Sequence, residues 1–340
     1  MGSISKPNIL LVGAGGVGTI AALNLSKGGQ AKVTAVLRSN YKKVTTDGFH
    51  IKSIDHGEIQ GWRPAQVLNG IPETTSQEFD YIVLSTKNIP DNPPTIADLI
   101  SPAITPGRTI IVLIQNGLNI ERPFVQKYPH NICLSGVSLI GSHETSPGHI
   151  EHDDRDRLIV GAFHNPNLDR AVQDDAAREF VRIYGAGGKT ECVFAGMDEV
   201  PFQRWRKLVY NACLNTICAI TGLDTGRIRL AGDVVETLLK PAMREIVAAA
   251  AACGVLLPEG IVEEMVEIDP LTIYLKPSML EDVESGNLTE FENLLGEPLR
   301  EGTSRGVEMP TATFLYHTLK AMQWRFKEQK GMITIPPKTV

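Results

Sequence analysis

Three polar side chains recur at intervals of four residues in the second half of the 340-residue sequence. Lys207, Asn211 and Asn215 lie within a helix that apolar periodicity predicts over residues 198–221. At that spacing the side chains share one helical face, with a drift of about 40° per step, so an ammonium and two amides point the same way. Asparagine is a mediocre helix former, and two in register with a lysine need a reason. A binding surface and a polar stripe that faces solvent both remain open on spacing alone.

Two short motifs further along the chain have the form of helix caps. Ser278 and Glu281 spell Ser-x-x-Glu after a proline, and Thr289 and Glu292 spell Thr-x-x-Glu. Each pattern is typical of a capping box. The second would make Glu290 a first-turn acid, which the helix dipole favours. A first-turn residue also projects outward into a cleft, so a capping role and a binding role are compatible.

A glycine-rich motif of the form G-x-G-x-x-G follows an apolar run at residues 8–12 and opens an apolar-periodic stretch. It consists of Gly13, Ala14, Gly15, Gly16, Val17 and Gly18. In this strand–turn–helix context Gly13 permits the tight turn, Gly15 lets the backbone approach a pyrophosphate, and Gly18 lets the helix pack close to the strand. The free N–H groups and the dipole at the helix N-terminus favour an anion. The motif predicts a dinucleotide site, and a glycine-rich turn without a ligand is the alternative.

The residue that follows the second predicted strand, at residues 32–37, bears on the choice of cofactor. An NAD-selective site places an acid about twenty residues beyond the glycine motif, where it holds the ribose 2′-hydroxyl. This sequence has Arg38 there. A guanidinium favours a 2′-phosphate through charge-assisted hydrogen bonds. Arg38 therefore indicates NADP(H) rather than NAD(H), with a solvated surface arginine as the alternative.

Two more polar residues follow predicted strands. Lys87 comes after the strand at residues 81–85, and Asn116 comes after the strand at residues 109–113. Strand C-termini face the ligand crevice in sheets of this kind. We therefore expect Lys87 to neutralise cofactor phosphates and Asn116 to hydrogen-bond a ribose or the reacting carbonyl. A lone surface lysine and a plain Asn-Gly turn are the alternatives.

Strands alternate with helices through the first part of the sequence. The predicted strands cover residues 8–12, 32–37, 81–85, 109–113, 132–137, 150–152, 157–160 and 190–193, with a charged turn at 153–156. The predicted helices between them include residues 96–100, 120–126 and 169–183. This alternation implies a parallel sheet with right-handed crossovers. After residue 196 helical periodicity dominates, which predicts an α/β Rossmann-type domain for NADP(H) over residues 1–196 and an all-α domain over residues 197–340.

Composition limits the class of protein. A chain of 340 residues exceeds one ordinary core and fits two domains. With 42% hydrophobic and 21% charged residues, it can bury a sizeable core and is not disordered. The net charge of −6 argues against a general nucleic-acid binder, and no apolar stretch is long enough to span a membrane. The oligomeric state stays open, a homodimer included.

The cysteines indicate the redox environment. There are five of them, scattered and without a Cys-x-x-Cys pair: Cys133, Cys192, Cys213, Cys218 and Cys253. They are typical of reduced, mostly buried thiols in a soluble cytoplasmic protein. We expect no metal site. A nucleophilic cysteine is the alternative, although none lies in a recognisable motif.

Taken together and in order, these residues resemble the ketopantoate reductase family over nearly the whole chain. The shared pieces are the glycine motif, Leu37-Arg38, Lys87, Gln115-Asn116-Gly117-Leu118, Trp205-Arg206-Lys207-Leu208 with Asn211 and Asn215, Lys276-Pro277-Ser278-Met279-Leu280 and Thr289-Glu290. The ordered set is specific, although no single piece is. The resemblance implies a Rossmann domain joined to a helical C-terminal domain, NADPH as reductant, and reduction of the 2-keto acid ketopantoate (2-dehydropantoate) to pantoate in pantothenate biosynthesis.

The resemblance also implies roles for individual residues. Lys207 would be the general acid, which protonates the carbonyl oxygen as hydride arrives from the nicotinamide C4 and stabilises the developing alkoxide. Glu290 would bind a substrate hydroxyl and orient Lys207, and Ser278 would bind the substrate carboxylate. The residues that would position substrate or the nicotinamide ribose are Asn116, Asn211 and Asn215.

The chain departs from the family pattern at two places. Leu275 stands at or near a position where the family often has an asparagine that helps to bind substrate, and Leu295-Gly296 stands where it often has Asn-Gly. Both departures concern which substrate is used rather than whether chemistry occurs. Reduction of another small 2-keto acid is therefore one alternative, and a non-catalytic NADP(H)-binding sensor is another. A buried Lys207–Glu290 pair would distinguish an enzyme from the sensor.

Overall fold

The structure is a computed structural model that describes residues 6–188, 191–337 and 339. The chain forms two compact units. The first unit contains the described residues up to Asn88, Pro94–Gln115 and Ile120–Val200. The second unit contains Ile89–Pro93, Asn116–Asn119 and the described residues from Pro201 onward. The main division therefore falls after Val200, and two short stretches from the first half of the chain belong to the second unit.

A mixed sheet forms the centre of the first unit. Its strands are β1 (Asn8–Val12), β2 (Lys32–Val36), β3 (Phe49–Ser53), β4 (Gly57–Trp62), β5 (Gln66–Leu68), β6 (Tyr81–Leu84), β7 (Ile110–Leu113), β8 (Cys133–Ser146), β9 (His149–Phe163) and β10 (Glu191–Phe194). Their order is β4-β3-β9-β8-β7-β6-β1-β2-β5, and β10 pairs with β9. Six neighbouring strands of this order run parallel, namely β8, β7, β6, β1, β2 and β5. The carboxyl ends of β6, β1 and β2 therefore lie side by side.

The parallel strands are buried on both faces, which explains why they read as continuous apolar runs in the sequence. On one face Leu11 and Val83 belong to the same core as Ile20 and Phe180. The other face forms a second core, to which Ile82 contributes. The helices of this unit are α1 (Gly16–Lys27), α2 (Tyr41–Asp47), α3 (Ile96–Leu99), α4 (Arg122–Lys127) and α5 (Arg170–Gly185).

The sheet is less uniform than the sequence predicted. β8 and β9 form a long antiparallel hairpin that turns at Gly148, whose φ of +78° favours glycine. The predicted pair of short strands around a charged turn at 153–156 is wrong, because β9 runs through those residues. Asp156 is buried there, and its carboxylate accepts hydrogen bonds from the side chains of Asn24 and Tyr184, each at 2.8 Å. Of the last predicted strand, Thr190 lies outside the described residues.

The second unit consists of helices joined by loops in its described residues. They are α6 (Val200–Asn211), α7 (Leu214–Thr221), α8 (Thr225–Leu230), α9 (Lys240–Ala252), α10 (Ile261–Glu267), α11 (Ser278–Glu284), α12 (Glu297–Ser304) and α13 (Pro310–Gln329). π-helical turns at Val235–Leu239 and Glu292–Gly296 lead into α9 and α12. An α/β first unit and a helical second unit confirm the predicted fold class. None of the described helices is both long and apolar enough to cross a membrane.

One predicted helix is two helices. The helix expected over residues 198–221 breaks after Asn211, and α7 begins at Leu214. At the break the N–H of Cys213 bonds to the carbonyl of Tyr210, a tighter turn than an α-helix makes. The buried hydroxyl of Thr216 donates to the Ala212 carbonyl at 2.8 Å. Hydroxyl bonds of this kind also occur in the unbroken α13, so the tight turn itself marks the break, and apolar periodicity does not reveal it.

Candidate active site

The glycine motif forms the turn between β1 and α1. Gly13 has a φ of +95°, and a Cβ there would lie 2.7 Å from the backbone nitrogen of Thr86. A Cβ on Gly18 would lie 1.9 Å from the carbonyl oxygen of Gly13. Gly15, in contrast, is exposed, and no atom lies within 4 Å of the position its Cβ would take. Two glycines are therefore required by the packing of the turn, whereas Gly15 leaves an open approach to the backbone.

The open space at Gly15 fits an anionic group. Gly15 occupies the N-cap position of α1, and no side chain caps the helix there. The first-turn N–H groups of a helix have no partner within the helix, and the dipole attracts negative charge. Gly16 has a separate reason to be glycine, because a Cβ would lie 2.2 Å from the carbonyl oxygen of Ser142 in β8. These residues can hold the pyrophosphate of a dinucleotide.

Arg38 and Lys87 follow the strands on either side of β1. Arg38 lies two residues beyond β2 and Lys87 three residues beyond β6, and both side chains are exposed. Within the described part of the chain no carboxylate forms a salt bridge with Arg38, so its guanidinium is available to a ligand. The structure therefore brings the glycine motif and both cations to the carboxyl edge of neighbouring strands.

Lys207 lies on α6 and is half-buried. Its ammonium donates a hydrogen bond of 2.7 Å to Oδ1 of Asn116. The pKa of Lys207 is lowered to about 7, first because burial disfavours the charged form and second because the Arg204 guanidinium is close by. The carboxylate of Glu290 acts in the opposite direction. An ammonium with a pKa near neutrality gives up a proton readily at physiological pH.

Glu290 is a buried carboxylate, with 4% of its surface exposed, and not the capped first-turn acid that the sequence suggested. The expected capping box is wrong because both of its members have other partners. The N–H of Thr289 donates to Oε1 of Gln323 at 2.9 Å. The carboxylate of Glu292 accepts from the Tyr316 hydroxyl and the guanidinium of Arg300, both at 2.9 Å.

The capping box expected at Ser278 is also wrong. The N-cap position of α11 falls on Pro277, so Ser278 is the first helical residue and caps nothing. The N–H of Glu281 bonds instead to the carbonyl of Pro277. Ser278 is half-buried, and its helix packs against α7. Its hydroxyl is therefore not committed to a capping role.

The two asparagines of the Lys207 register are buried rather than facing solvent. Asn211 ends α6 and Asn215 lies in α7, with 8% and 3% of their surfaces exposed. Oδ1 of Asn215 has no hydrogen-bond partner among the described residues. A buried acceptor without a donor costs about 1–3 kcal/mol. A ligand that donates a hydrogen bond to this oxygen would remove that cost.

Three of the five thiols give no support to the alternative of a nucleophilic cysteine. Burial raises the pKa of the Cys192 and Cys218 thiols to about 12, and it raises the pKa of Cys213 well above its ordinary value. These thiols therefore stay protonated near neutral pH, whereas the nucleophile is the thiolate. Within the part of the chain that the structure describes, no three side chains of the metal-binding types cluster.

Arg204 is a member of the site that the sequence analysis did not single out. Its side chain is buried, with 5% exposed, and its guanidinium donates to the carbonyl of Gly117 at 3.4 Å. It thereby touches the residue that follows Asn116, and it also lowers the pKa of Lys207. The signal available in the sequence was its place three residues before Lys207, because residues at that spacing are neighbours on a helix.

Comparisons with known proteins agree on one family. Residues 9–165 match the family model "Ketopantoate reductase PanE/ApbA", and residues 201–323 match the model of its C-terminal domain. An uncharacterized protein of Saccharomyces cerevisiae is 38% identical over 355 aligned positions, which cover 97% of this chain and 98% of the relative.

Solved structures that superpose on this chain include a member of the same family and a second enzyme that shares the fold. The 2-dehydropantoate 2-reductase of Methylococcus capsulatus is 31% identical and superposes with a TM-score of 0.78, over 94% of this chain and 97% of that one. A D-mandelate dehydrogenase, solved with NADH and anilino(oxo)acetate, shares the fold at a TM-score of 0.77 and 20% identity, over 94% and 99% of the two chains.

Proposed function

Because this chain belongs to the ketopantoate reductase family, we propose that it is an NADPH-dependent oxidoreductase that reduces 2-dehydropantoate to pantoate, a step of pantothenate biosynthesis. The observation that carries the proposal is the half-buried ammonium of Lys207, which donates to Asn116 and lies near the buried carboxylate of Glu290. A protein that only binds a dinucleotide has no need of this pair, which disfavours the sensor alternative.

The reaction adds a hydride and a proton across the carbonyl group of the substrate. When bound, the reduced nicotinamide supplies the hydride, which adds to the carbonyl carbon. Lys207 gives the proton to the carbonyl oxygen as negative charge develops there, and the resulting amine regains a proton from solvent. The pKa of about 7 suits both steps, since the ammonium is acidic enough to donate and the amine basic enough to recover.

The surrounding polar groups bind and orient. Glu290 accepts a hydrogen bond from a substrate hydroxyl and keeps the Lys207 ammonium directed at the carbonyl oxygen. Asn215 offers its unpaired Oδ1 to a substrate donor. Ser278 binds the substrate carboxylate through its hydroxyl, and Asn211 and Asn116 position the substrate or the nicotinamide ribose.

NADP(H) is the proposed cofactor. Gly15 and the N-terminus of α1 hold the pyrophosphate, and Lys87 adds positive charge near it. Arg38 pairs with the 2′-phosphate that NAD(H) lacks, because its exposed guanidinium has no competing carboxylate among the described residues. NADH is the alternative, and the D-mandelate dehydrogenase was solved with that cofactor.

A second candidate function is the reduction of a different 2-keto acid. It is favoured by Leu275, an apolar side chain at or near a position where the family often has asparagine. An apolar side chain there suits a substrate substituent without a hydroxyl.

Steady-state kinetics separates these candidates. The purified protein is assayed with NADPH and with NADH against 2-dehydropantoate, branched 2-keto acids and phenylglyoxylate, and Lys207→Ala gives the background rate. We expect the highest kcat/KM with NADPH and 2-dehydropantoate. A higher kcat/KM with another 2-keto acid would make that acid the substrate. Turnover no faster than that of Lys207→Ala with every acid would show that the proposed reductase activity is wrong.

A further inference from the structure

The segment Thr289–Asn293 carries Glu290, and each of its ends is linked by hydrogen bonds, directly or through Gln323, to a chain stretch from the first half of the sequence. These stretches are Ile89–Pro93 and Asn116–Asn119, which belong to the second unit. Each is tied to one end of the segment by hydrogen bonds described below. The catalytic carboxylate is thus flanked by two points of attachment.

Asn293 holds the stretch that contains Asn116. The N–H of Leu118 donates to the carbonyl of Asn293 at 2.8 Å, and Nδ2 of Asn293 donates back to the carbonyl of Leu118 at 3.0 Å. The approach is close, because a Cβ on Gly117 would lie 2.6 Å from Cβ of Asn293. The φ of Gly117 is +110°, which also favours glycine. These two hydrogen bonds fix the backbone at Leu118, two residues after Asn116, whose side-chain oxygen accepts the Lys207 hydrogen bond.

Gln323 holds the other end of the segment and is itself buried, with 2% exposed. Its Oε1 accepts from the N–H of Thr289 at 2.9 Å, and its Nε2 donates to the Thr289 carbonyl at 3.3 Å. The same Nε2 lies 3.4 Å from the carboxylate of Asp91, which also accepts from Lys327 at 2.7 Å. Gln323 therefore fixes both backbone groups of the residue before Glu290 and ties them to Ile89–Pro93.

We propose that Asn293 and Gln323 are positioning residues of the reaction. Asn293 acts through Asn116, by holding its loop where Oδ1 meets the Lys207 ammonium. Gln323 acts through Glu290, by fixing the backbone from which that carboxylate projects. The inference rests on the proposed function, since the geometry that both residues maintain is that of the proton donor. Neither side chain is assigned a contact with substrate or cofactor.

Double-mutant cycles test each route. If Asn293 works through Asn116, then Asn293→Ala should lower kcat by about tenfold to a hundredfold, because it loosens a hydrogen bond to a charged group. In an Asn116→Ala background the same change should cost less than about threefold. Gln323→Met should likewise lower kcat by about tenfold to a hundredfold in the wild type. In a Glu290→Gln background the same change should cost less than about threefold. Losses that multiply independently in both cycles would overturn the proposal.

Asn165 supplies a matched control. It is fully buried in the first unit, and its Nδ2 donates to the carbonyls of Pro129 and Asn131 at 3.0 and 3.2 Å. Asn165→Ala therefore removes a buried amide that also holds loops together. It should lower the melting temperature about as much as Asn293→Ala but leave kcat within about twofold. An equal loss of kcat in both variants would mean that Asn293 has only a structural role.

A measurement that needs no turnover separates this inference from the proposed function. The Lys207 side chain is titrated by NMR in protein labelled at lysine. Asn293→Ala should displace the Lys207 midpoint in the same direction as Asn116→Ala, because the first change loosens and the second removes the hydrogen bond that favours the charged form. If the wild type reduces none of the 2-keto acids, the proposed function fails while this comparison still stands. An undisplaced midpoint in Asn293→Ala would overturn the positioning role.

Discussion

Nζ of Lys207 lies 2.7 Å from Oδ1 of Asn116, although 91 positions of sequence separate the two residues. An amide oxygen accepts a hydrogen bond but does not take up the proton, so Asn116 orients the ammonium without neutralising it. Burial and Arg204 lower the pKa of Lys207, and Glu290 raises it. This combination suits a lysine that must stay protonated until a substrate oxygen needs its proton.

Removing the ammonium should affect turnover rather than cofactor binding. Positioned proton donors contribute about 10²–10⁴-fold, so we expect Lys207→Ala to lose kcat in that range on the best 2-keto acid. The NADPH dissociation constant, measured by calorimetry, should stay within a few-fold. Arg206→Ala is the control, because Arg206 is the adjacent cation and pairs with Glu264 on the surface. A Lys207→Ala enzyme that keeps most of its kcat would reject this mechanism.

Neutralising Glu290 should move the pH profile to lower pH. The Glu290 carboxylate raises the pKa of Lys207, so the pKa in Glu290→Gln should fall below the wild-type value of about 7. Activity needs the protonated lysine and declines as pH rises through its pKa. The decline of kcat in the variant should therefore begin at lower pH, and its deficit relative to wild type should be larger at pH 8 than at pH 6.

Glu292→Gln is the control for that profile. Glu292 is two residues away, and its carboxylate bonds to Tyr316 and Arg300 rather than acting on Lys207. The basic limb of its kcat profile should match the wild type. If the limb of Glu290→Gln moves to higher pH instead, the assignment of Lys207 as the proton donor is contradicted.

Reversing the charge at position 38 should change cofactor preference. A charge-assisted hydrogen bond contributes roughly 1.5–3 kcal/mol, so Arg38→Asp should raise the KM for NADPH about tenfold or more. The KM for NADH should be unchanged or lower. Lys32→Asp makes the same charge change at the opposite end of β2, roughly 20 Å away, and should leave both KM values nearly unchanged. Equal losses with both cofactors in Arg38→Asp would remove Arg38 from the site.

A side chain at Gly15 should block the dinucleotide without disturbing the fold. The position of its Cβ is open, so Gly15→Val should keep its circular dichroism spectrum while calorimetry detects no NADPH binding. Gly185→Val is the control, because Gly185 also meets only ordinary contacts. It adjoins Ala186, which packs on Gly28 at the far end of α1, about 18 Å from Gly15. Undiminished NADPH affinity in Gly15→Val would place the pyrophosphate elsewhere.

Much of this architecture was predictable because it depends on local patterns. Apolar runs located most of the central strands, and the glycine motif fixed the start of α1. Even so, β3, β4 and β5 were missed. β4 has no fully buried residue, and β5 is only three residues long. An apolar pattern cannot identify β4 and β5, which bury so little, whereas β3 buries Phe49 and Ile51 at alternate positions and that alternation was overlooked.

The parts that were not predictable depend on contacts between distant residues. The capping box at Thr289 was a reasonable prediction, but Gln323, 34 positions further on, takes the Thr289 N–H. The break after Asn211 is a tight turn between Tyr210 and Cys213, which apolar periodicity does not reveal. Asn293 carried no sequence signal at all, because its importance comes from a loop 175 positions earlier. Helical register grouped Lys207 with two asparagines, and the sequence separately indicated Asn116, but only the folded chain showed that Asn116 accepts the Lys207 hydrogen bond and that Arg204 belongs to the site.

The second unit is assembled from three separate stretches of the chain, which limits when it can fold during synthesis and where the chain can be divided. Asp91 and Asn116 leave the ribosome long before Lys327 and Lys207 are made, so the Asp91–Lys327 contact must wait for almost the whole chain and the Asn116–Lys207 contact for more than half of it. A fragment that starts at Pro201 lacks the acceptor for the Lys207 ammonium and the partner of Asn293. The helical half is therefore not a transferable module, and swapping it between relatives requires carrying residues 89–93 and 116–119 with it.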